Sequence, residues 1–195
     1  MLTRRHIRIK VLQSIYAYTQ RAKGDIETQE KFLKYSIVQM SDLYLVMIQL
    51  LIALRDQADD YLLRSQQKFL ATELEKNPSR NFVDNQVLEL ISSHTVFNET
   101  IEKKKLNYWE LDSDYVSIIF KDLREQDWYV AYLTKENPSF KEDRQFILRV
   151  FKEVIAPNDK LYEYIEDKRL TWLDDFPIIN TAIAKMLGKI SDRNV

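Results

Sequence analysis

Two glycines, Gly24 and Gly188, and four prolines are all the glycine and proline that this 195-residue chain contains. These are the residues that punctuate local structure and supply the left-handed turns of β-hairpins. A chain so poor in them, with apolar residues recurring at helical spacing along almost its whole length, predicts an all-α protein, a multi-helix bundle over residues 1–195 as a single domain. Two isolated glycines cannot build a phosphate-cradling loop, which excludes P-loop and dinucleotide-binding chemistry. The absence of cysteine excludes disulfides, thiolate metal sites and cysteine nucleophiles. The two histidines, His6 and His94, stand too far apart in sequence to suggest a histidine metal cluster. No cofactor or metal is expected.

The spacing predicts a first helix over 2–21, capped by Thr3 and ended by Gly24. Ile7, Val11, Ile15 and Tyr18 line one side, widened by Ile9, Leu12 and Tyr16, and this broad arc predicts a largely buried helix with Tyr16 in the core. His6, Lys10, Gln13, Ala17 and Gln20 form the narrower opposite strip. A long pattern over 28–69, as one bent helix or two, carries the seam Leu33, Ile37, Met40, Tyr44, Met47, Leu51, Leu54, Ala58 and Tyr61, which steps by four and three and suits packing along a neighbour. The apolar run 43–54 is too short to span a bilayer, so a buried helix is expected there and no membrane segment. A loop is expected at 76–81, where Asn77-Pro78 blocks helix continuation. Further helices are expected over 82–92, 98–106, 114–123 and 127–133. Ser139 and Glu142 form a capping-box pattern opening a helix to Ile155, which Pro157 stops. Asn158 caps a helix over 160–169, and Pro177 opens the last one, to Leu187 with Gly188 as its C-cap. Trp109, Trp128 and Trp172 read as core anchors, and His94 as structural or exposed. Asp59-Asp60 and Asp174-Asp175 read as a solvated face and a helix start, since adjacent positions do not face each other on a helix.

No catalytic constellation emerges, and the chain is read as a non-enzyme. Its global charge, 29 basic against 30 acidic residues, is uninformative, but the distribution is not. Residues 1–23 carry Arg4, Arg5, Arg8, Lys10, Arg21 and Lys23, with His6, and no acid before Asp25. Cations at a helix N-terminus oppose the macrodipole and cost a few tenths of a kcal/mol each, roughly. An external anion would offset that cost, and phosphate suits the bidentate guanidinium. The competing reading is that these arginines pair with carboxylates elsewhere in the fold.

The start RRHIRIKVLQSIYAY resembles the first helix of NusB-family transcription antitermination factors. The shared features are two arginines, a third one turn later, and an apolar helix carrying glutamine and an aromatic. Here these are Arg4, Arg5, Arg8, Gln13 and Tyr16, with Leu12 and Ile15 between. The stretch from Glu142 to Leu187 is similar to the family's second half through Asp143, Arg144, Phe146, Asp159, Ile165, Trp172 and Ile183. Together the two stretches cover about a third of the chain. The resemblance implies an all-helical bundle that binds boxA-type RNA of the ribosomal leader. It also implies pairing with the ribosomal protein NusE and entry into the RNA polymerase elongation complex; separately, with no targeting or membrane segment expected, the chain is read as cytoplasmic. It carries RNA contact onto Arg4, Arg5 and Arg8, with His6, Lys10 and Gln13 as further candidates and Tyr18 as a candidate for the partner surface. The middle region, 25–138, is enlarged relative to the family. The family's terminal helices have no counterpart after Gly188, so the chain is expected to be a fragment of a longer member. Two rival readings remain. One is the RNA-targeting domain of a ribosomal RNA cytosine methyltransferase. The other is a helical protein-interaction module without RNA binding, for which the seam 33–61 could serve as a homo-oligomer interface.

Overall fold

A computed structural model describes residues 4–20, 25–67 and 76–191, and it is all-helical, with no β-strand among the described residues. The bundle is organised around one long helix. α1 (Arg4–Thr19) folds back on α2 (Ile26–Gln66), a single helix of 41 residues. Asp25 caps α2, accepting from the Glu27 amide, and the expected seam is the core side of α2: Met40, Met47, Leu51, Leu54 and Ala58 are buried. At about 1.5–3 kcal/mol for each fully buried large side chain, this stripe is a main source of the fold's cohesion. By length and composition α2 is apolar enough to cross a membrane. Its most apolar 18-residue window has a mean hydropathy of 1.9, and 56 % of that window is buried inside the bundle.

The remaining elements wrap α2. They are α3 (Gln86–Ser92), α4 (Thr95–Lys104), α5 (Tyr108–Leu111), α6 (Ser113–Arg124), α7 (Asp127–Leu133), α8 (Phe140–Val150), α9 (Asp159–Lys168), α10 (Leu170–Leu173) and α11 (Phe176–Lys189). α1, α3, α5, α6, α10 and α11 all pack on α2. The capping signals expected at Ser139 and Asn158 are both used. Ser139 and Glu142 form the reciprocal capping box, and Asn158 accepts from the Leu161 amide. Pro177 lies in the first turn of α11. Trp109 and Trp172 are core, while Trp128 is half-buried against it.

Several boundaries differ from expectation, each for a local reason. Residues 82–84 form a turn, and α3 starts only after Asn85, whose side chain accepts from the Val87 and Leu88 amides. α4 begins at Thr95 because His94 serves as its cap, its Nδ1 accepting from the Phe97 amide. Lys105, at φ 54°, ends that helix in the left-handed region. α8 runs on through a π-helical turn, Phe151–Ile155, which the 3.6-residue spacing does not reveal. α11 continues through Gly188 to Lys189, so Gly188 is a helix residue and not a cap. The caps expected at Thr3 and Gly24 lie outside the described residues.

A buried polar cluster joins α3, α7 and α8. Tyr132 Oη donates to Asp143 Oδ1 at 2.7 Å, the Gln86 amide donates to Asp143 Oδ2 at 2.9 Å, and Asn85 Nδ2 donates to Tyr132 Oη at 3.0 Å. Each side chain of this cluster thus finds a partner, as burial demands. Burial, and then the bond to Asp143, push the Tyr132 phenol strongly up, so it stays protonated.

The capping box makes a pH prediction. The Lys135 ammonium, then the Ser139 amide and hydroxyl, hold the Glu142 carboxyl down at about 2. A depressed acid stabilises the fold above its unfolded value of about 4.3, and that contribution disappears as pH falls through the folded value. Side-chain carboxyl NMR is expected to give a Glu142 midpoint near about 2 in the native protein, and a midpoint at the ordinary value would show that the box does not form.

Candidate nucleic-acid interface

α1 is inverted relative to its hydropathy. Of the polar strip Lys10 is buried and His6 and Ala17 are half-buried, while Gln13 stays exposed; of the apolar arc Ile7, Ile9, Leu12, Ile15 and Tyr16 are exposed, with Val11 and Tyr18 half-buried. Leu12, Ile15 and Tyr16 are 67, 54 and 65 % exposed, so α1 is not a largely buried helix and Tyr16 is not core. The reason is electrostatic. Lys10 Nζ donates to Asp175 Oδ2 at 2.8 Å, with side chains only 8 and 3 % exposed, and Gln13 Nε2 donates to Asp174 Oδ2 at 3.0 Å. Turning α1 to bury its apolar arc would break this pair and leave Asp175 buried without the Lys10 ammonium, at a cost of about 3–5 kcal/mol. The carboxylate pair 174–175 stands at the start of α11, as expected, with Asp175 as the residue preceding its first turn, and it is also the anchor of α1. Burial pushes the Asp175 carboxyl up, while Lys10 and His6 on α1 pull the other way.

The platform under α1 is equally specific. Trp172 is fully buried, and its Nε1 donates to the Gln39 carbonyl at 2.9 Å. Arg169 donates from Nη1 to Gln39 Oε1 and from Nη2 to Tyr108 Oη at 2.8 Å. Its guanidinium carbon lies 5.1 Å from the Trp172 ring centre, and Tyr108 meets the same ring edge-on. Trp172 therefore sets the position of the 174–175 turn against α2, and that turn sets the rotation of α1.

The candidate residues separate into two groups. Arg4, Arg5 and Arg8 are exposed, and among the described residues no carboxylate pairs with any of them. Lys10 is consumed internally and cannot meet an outside anion. Gln13 is held by Asp174, and His6 is half-buried on the same inward side. Tyr18 is half-buried as well. Arg4, Arg8, Leu12, Ile15 and Thr19 follow one another at spacings of four, four, three and four residues, and all five are exposed, so they form one outward stripe flanked by Arg5 and Tyr16. Positive charge at one end of the helix thus passes into an apolar and aromatic surface. The apolar exposure recurs on the first turns of α2 at Phe32, Tyr35 and Val38.

The inward turn of Lys10 has a signal in the sequence: an acid-free basic segment and an adjacent carboxylate pair far along the chain are complementary. What the sequence does not carry is which of the six basic residues the pair selects. Among the described residues no group of three or more His, Asp or Glu is placed to hold a metal ion. Comparison with protein-family models, with curated proteins and with solved structures returns no match to this chain.

Proposed function

We propose that the chain is a non-enzymatic, single-strand RNA-binding factor of the NusB type, with the outer face of α1 as its RNA surface. The carrying observation is that Arg4, Arg5 and Arg8 stand exposed with no carboxylate partner among the described residues. Three guanidiniums on one helical turn offer forked donors for phosphates, and Tyr16, about 12 Å further along the same helix from Arg8, offers a ring on which a base can stack. The reading keeps Arg4, Arg5 and Arg8 from the resemblance and leaves out Lys10, which already holds Asp175. A boxA-like RNA, the NusE ribosomal protein and the polymerase elongation complex are the assembly this role would join.

Titration of a short single-stranded RNA tests it. The wild-type chain is expected to bind with a log–log salt slope of about −2, for three phosphates on a single strand. The Arg4→Ala/Arg5→Ala/Arg8→Ala chain is expected to lose at least about tenfold in affinity at low salt and most of that slope. Tyr16→Ala is expected to weaken binding by about 1–3 kcal/mol without changing the slope. Equal affinity of the triple variant and the wild type at low salt would remove this function.

The exposed Leu12, Ile15 and Tyr16 favour a second reading, a protein-interaction module that uses the same helix without RNA. Retained self- or partner association in a chain that binds no RNA would select it.

A further inference from the structure

A second surface on the same chain matches the outer face of α1 in both charge and polarity. Between the middle of α2 and helices α4, α5 and α6 lies a groove of about 490 Å³. Its apolar walls include Ile52, Phe97 and Trp109, and its rim carries Asp56, Asp60, Glu102 and Glu110, with no lysine or arginine among the lining residues. Asp56 and Asp60 have local cations in Arg55 and Arg64, whereas no described cation forms an ion pair with Glu102 or Glu110. The outer face of α1 is the converse: three arginines without carboxylate partners among the described residues, running into Leu12, Ile15 and Tyr16.

We infer that α1 of one copy docks in the acidic groove of a second copy, its arginines on the carboxylate rim and its apolar side chains over the groove wall. The same chain does not fill its own groove. The groove begins at Gln49, about 15 Å along α2 from the Gln39 platform. The Lys10–Asp175 and Gln13–Asp174 bonds also hold the outer face of α1 pointing away from the bundle. Donor face and acceptor groove lie at different places on one molecule, so the contact is head-to-tail, and successive copies add to a ring or an open chain. The arginines that dock are the ones proposed to hold RNA, so RNA and a second copy compete for the same face.

Sedimentation of the full chain without RNA tests the docking independently of whether RNA is its ligand. The wild type is expected to gain mass with concentration and to dissociate as salt is raised, since both charge sets are exposed. Two variants carry the argument. One reverses the helix face (Arg4→Glu/Arg5→Glu/Arg8→Glu), and the other neutralises the groove (Asp56→Asn/Asp60→Asn/Glu102→Gln/Glu110→Gln). All seven positions are surface positions, and circular dichroism is expected to show both variants folded. Each alone is expected to stay monomeric. Mixed, they are expected to form a one-to-one dimer and nothing larger, because only one intact helix face and one intact groove remain. A wild-type chain that stays monomeric up to submillimolar concentration overturns the proposal. So does a groove variant that associates like the wild type, which would point to contact between two α1 helices. Failure of the mixture to dimerise overturns it as well.

Discussion

A chain with Lys10 replaced by methionine is expected to lose about 3–5 kcal/mol of stability near neutral pH, because Asp175 is then a buried carboxylate without its ammonium partner. The pair is 2.8 Å apart and almost fully enclosed, so water cannot take the place of the ammonium. The methionine side chain keeps most of the lysine's apolar length, which leaves charge as the main change. The loss carries a pH signature. Burial already pushes the Asp175 carboxyl above its ordinary value, and removing Lys10 removes a group that draws it down. A native acid with a raised pKa binds more protons than the unfolded chain, so stability rises as pH falls through that window, above about 3.9. Urea denaturation of Lys10→Met is therefore expected to show its largest deficit at neutral pH and a smaller one near pH 5. The double variant Lys10→Met/Asp175→Asn is expected to recover much of the loss, since it leaves no buried charge. A deficit that does not change with pH would mean that the lysine acts by packing alone.

Substitution of Trp172 by alanine is expected to cost about 3–5 kcal/mol, the range for emptying a core aromatic site. For a chain of this length that corresponds to roughly 6–20 °C in Tm. Three things disappear with the indole: its fully buried volume, its bond to the Gln39 carbonyl, and the ring over which Arg169 sits. The loss reaches α1, because Trp172 stands just before the 174–175 turn. Under the proposed function, RNA affinity is then expected to fall although no arginine has changed. Trp128→Ala is the control. That ring is only partly buried, its Nε1 has no hydrogen-bond partner, and Arg149 stacks on it 4.7 Å from the ring centre. Its expected cost is smaller, and calorimetry on the two variants separates them. Equal Tm losses would show that the Gln39–Trp172–Arg169 cluster is not the platform described above.

The two cases show where hydropathy is a sound guide and where it is not. In α2 the apolar seam is long and regular, and one burial direction covers it from Met40 to Ala58, with Tyr44 half-buried against the core. In α1 the apolar arc is so broad that many rotations bury some of it, so hydropathy alone leaves the rotation open. Lys10 and Gln13 decide it, through two carboxylates more than 160 positions away in sequence. The His94 cap and the Asn85 cap have the same character. Each residue type is able to cap, but the start of its helix depends on neighbours that only the fold brings close. For Asn85 these are Tyr132 and Asp143.

Residue order alone was enough for the helical class, the α2 seam, the caps at Ser139 and Asn158 and the acid-free basic start, because each depends on neighbours within a turn or two or on an unbroken period. The rotation of α1, the internal pairing of Lys10, the exposure of Tyr16 and the acidic groove required the folded chain. Each of these rests on a pairing between distant segments, and charge complementarity across such distances is set by which surfaces meet in space, a property that no local window of sequence contains.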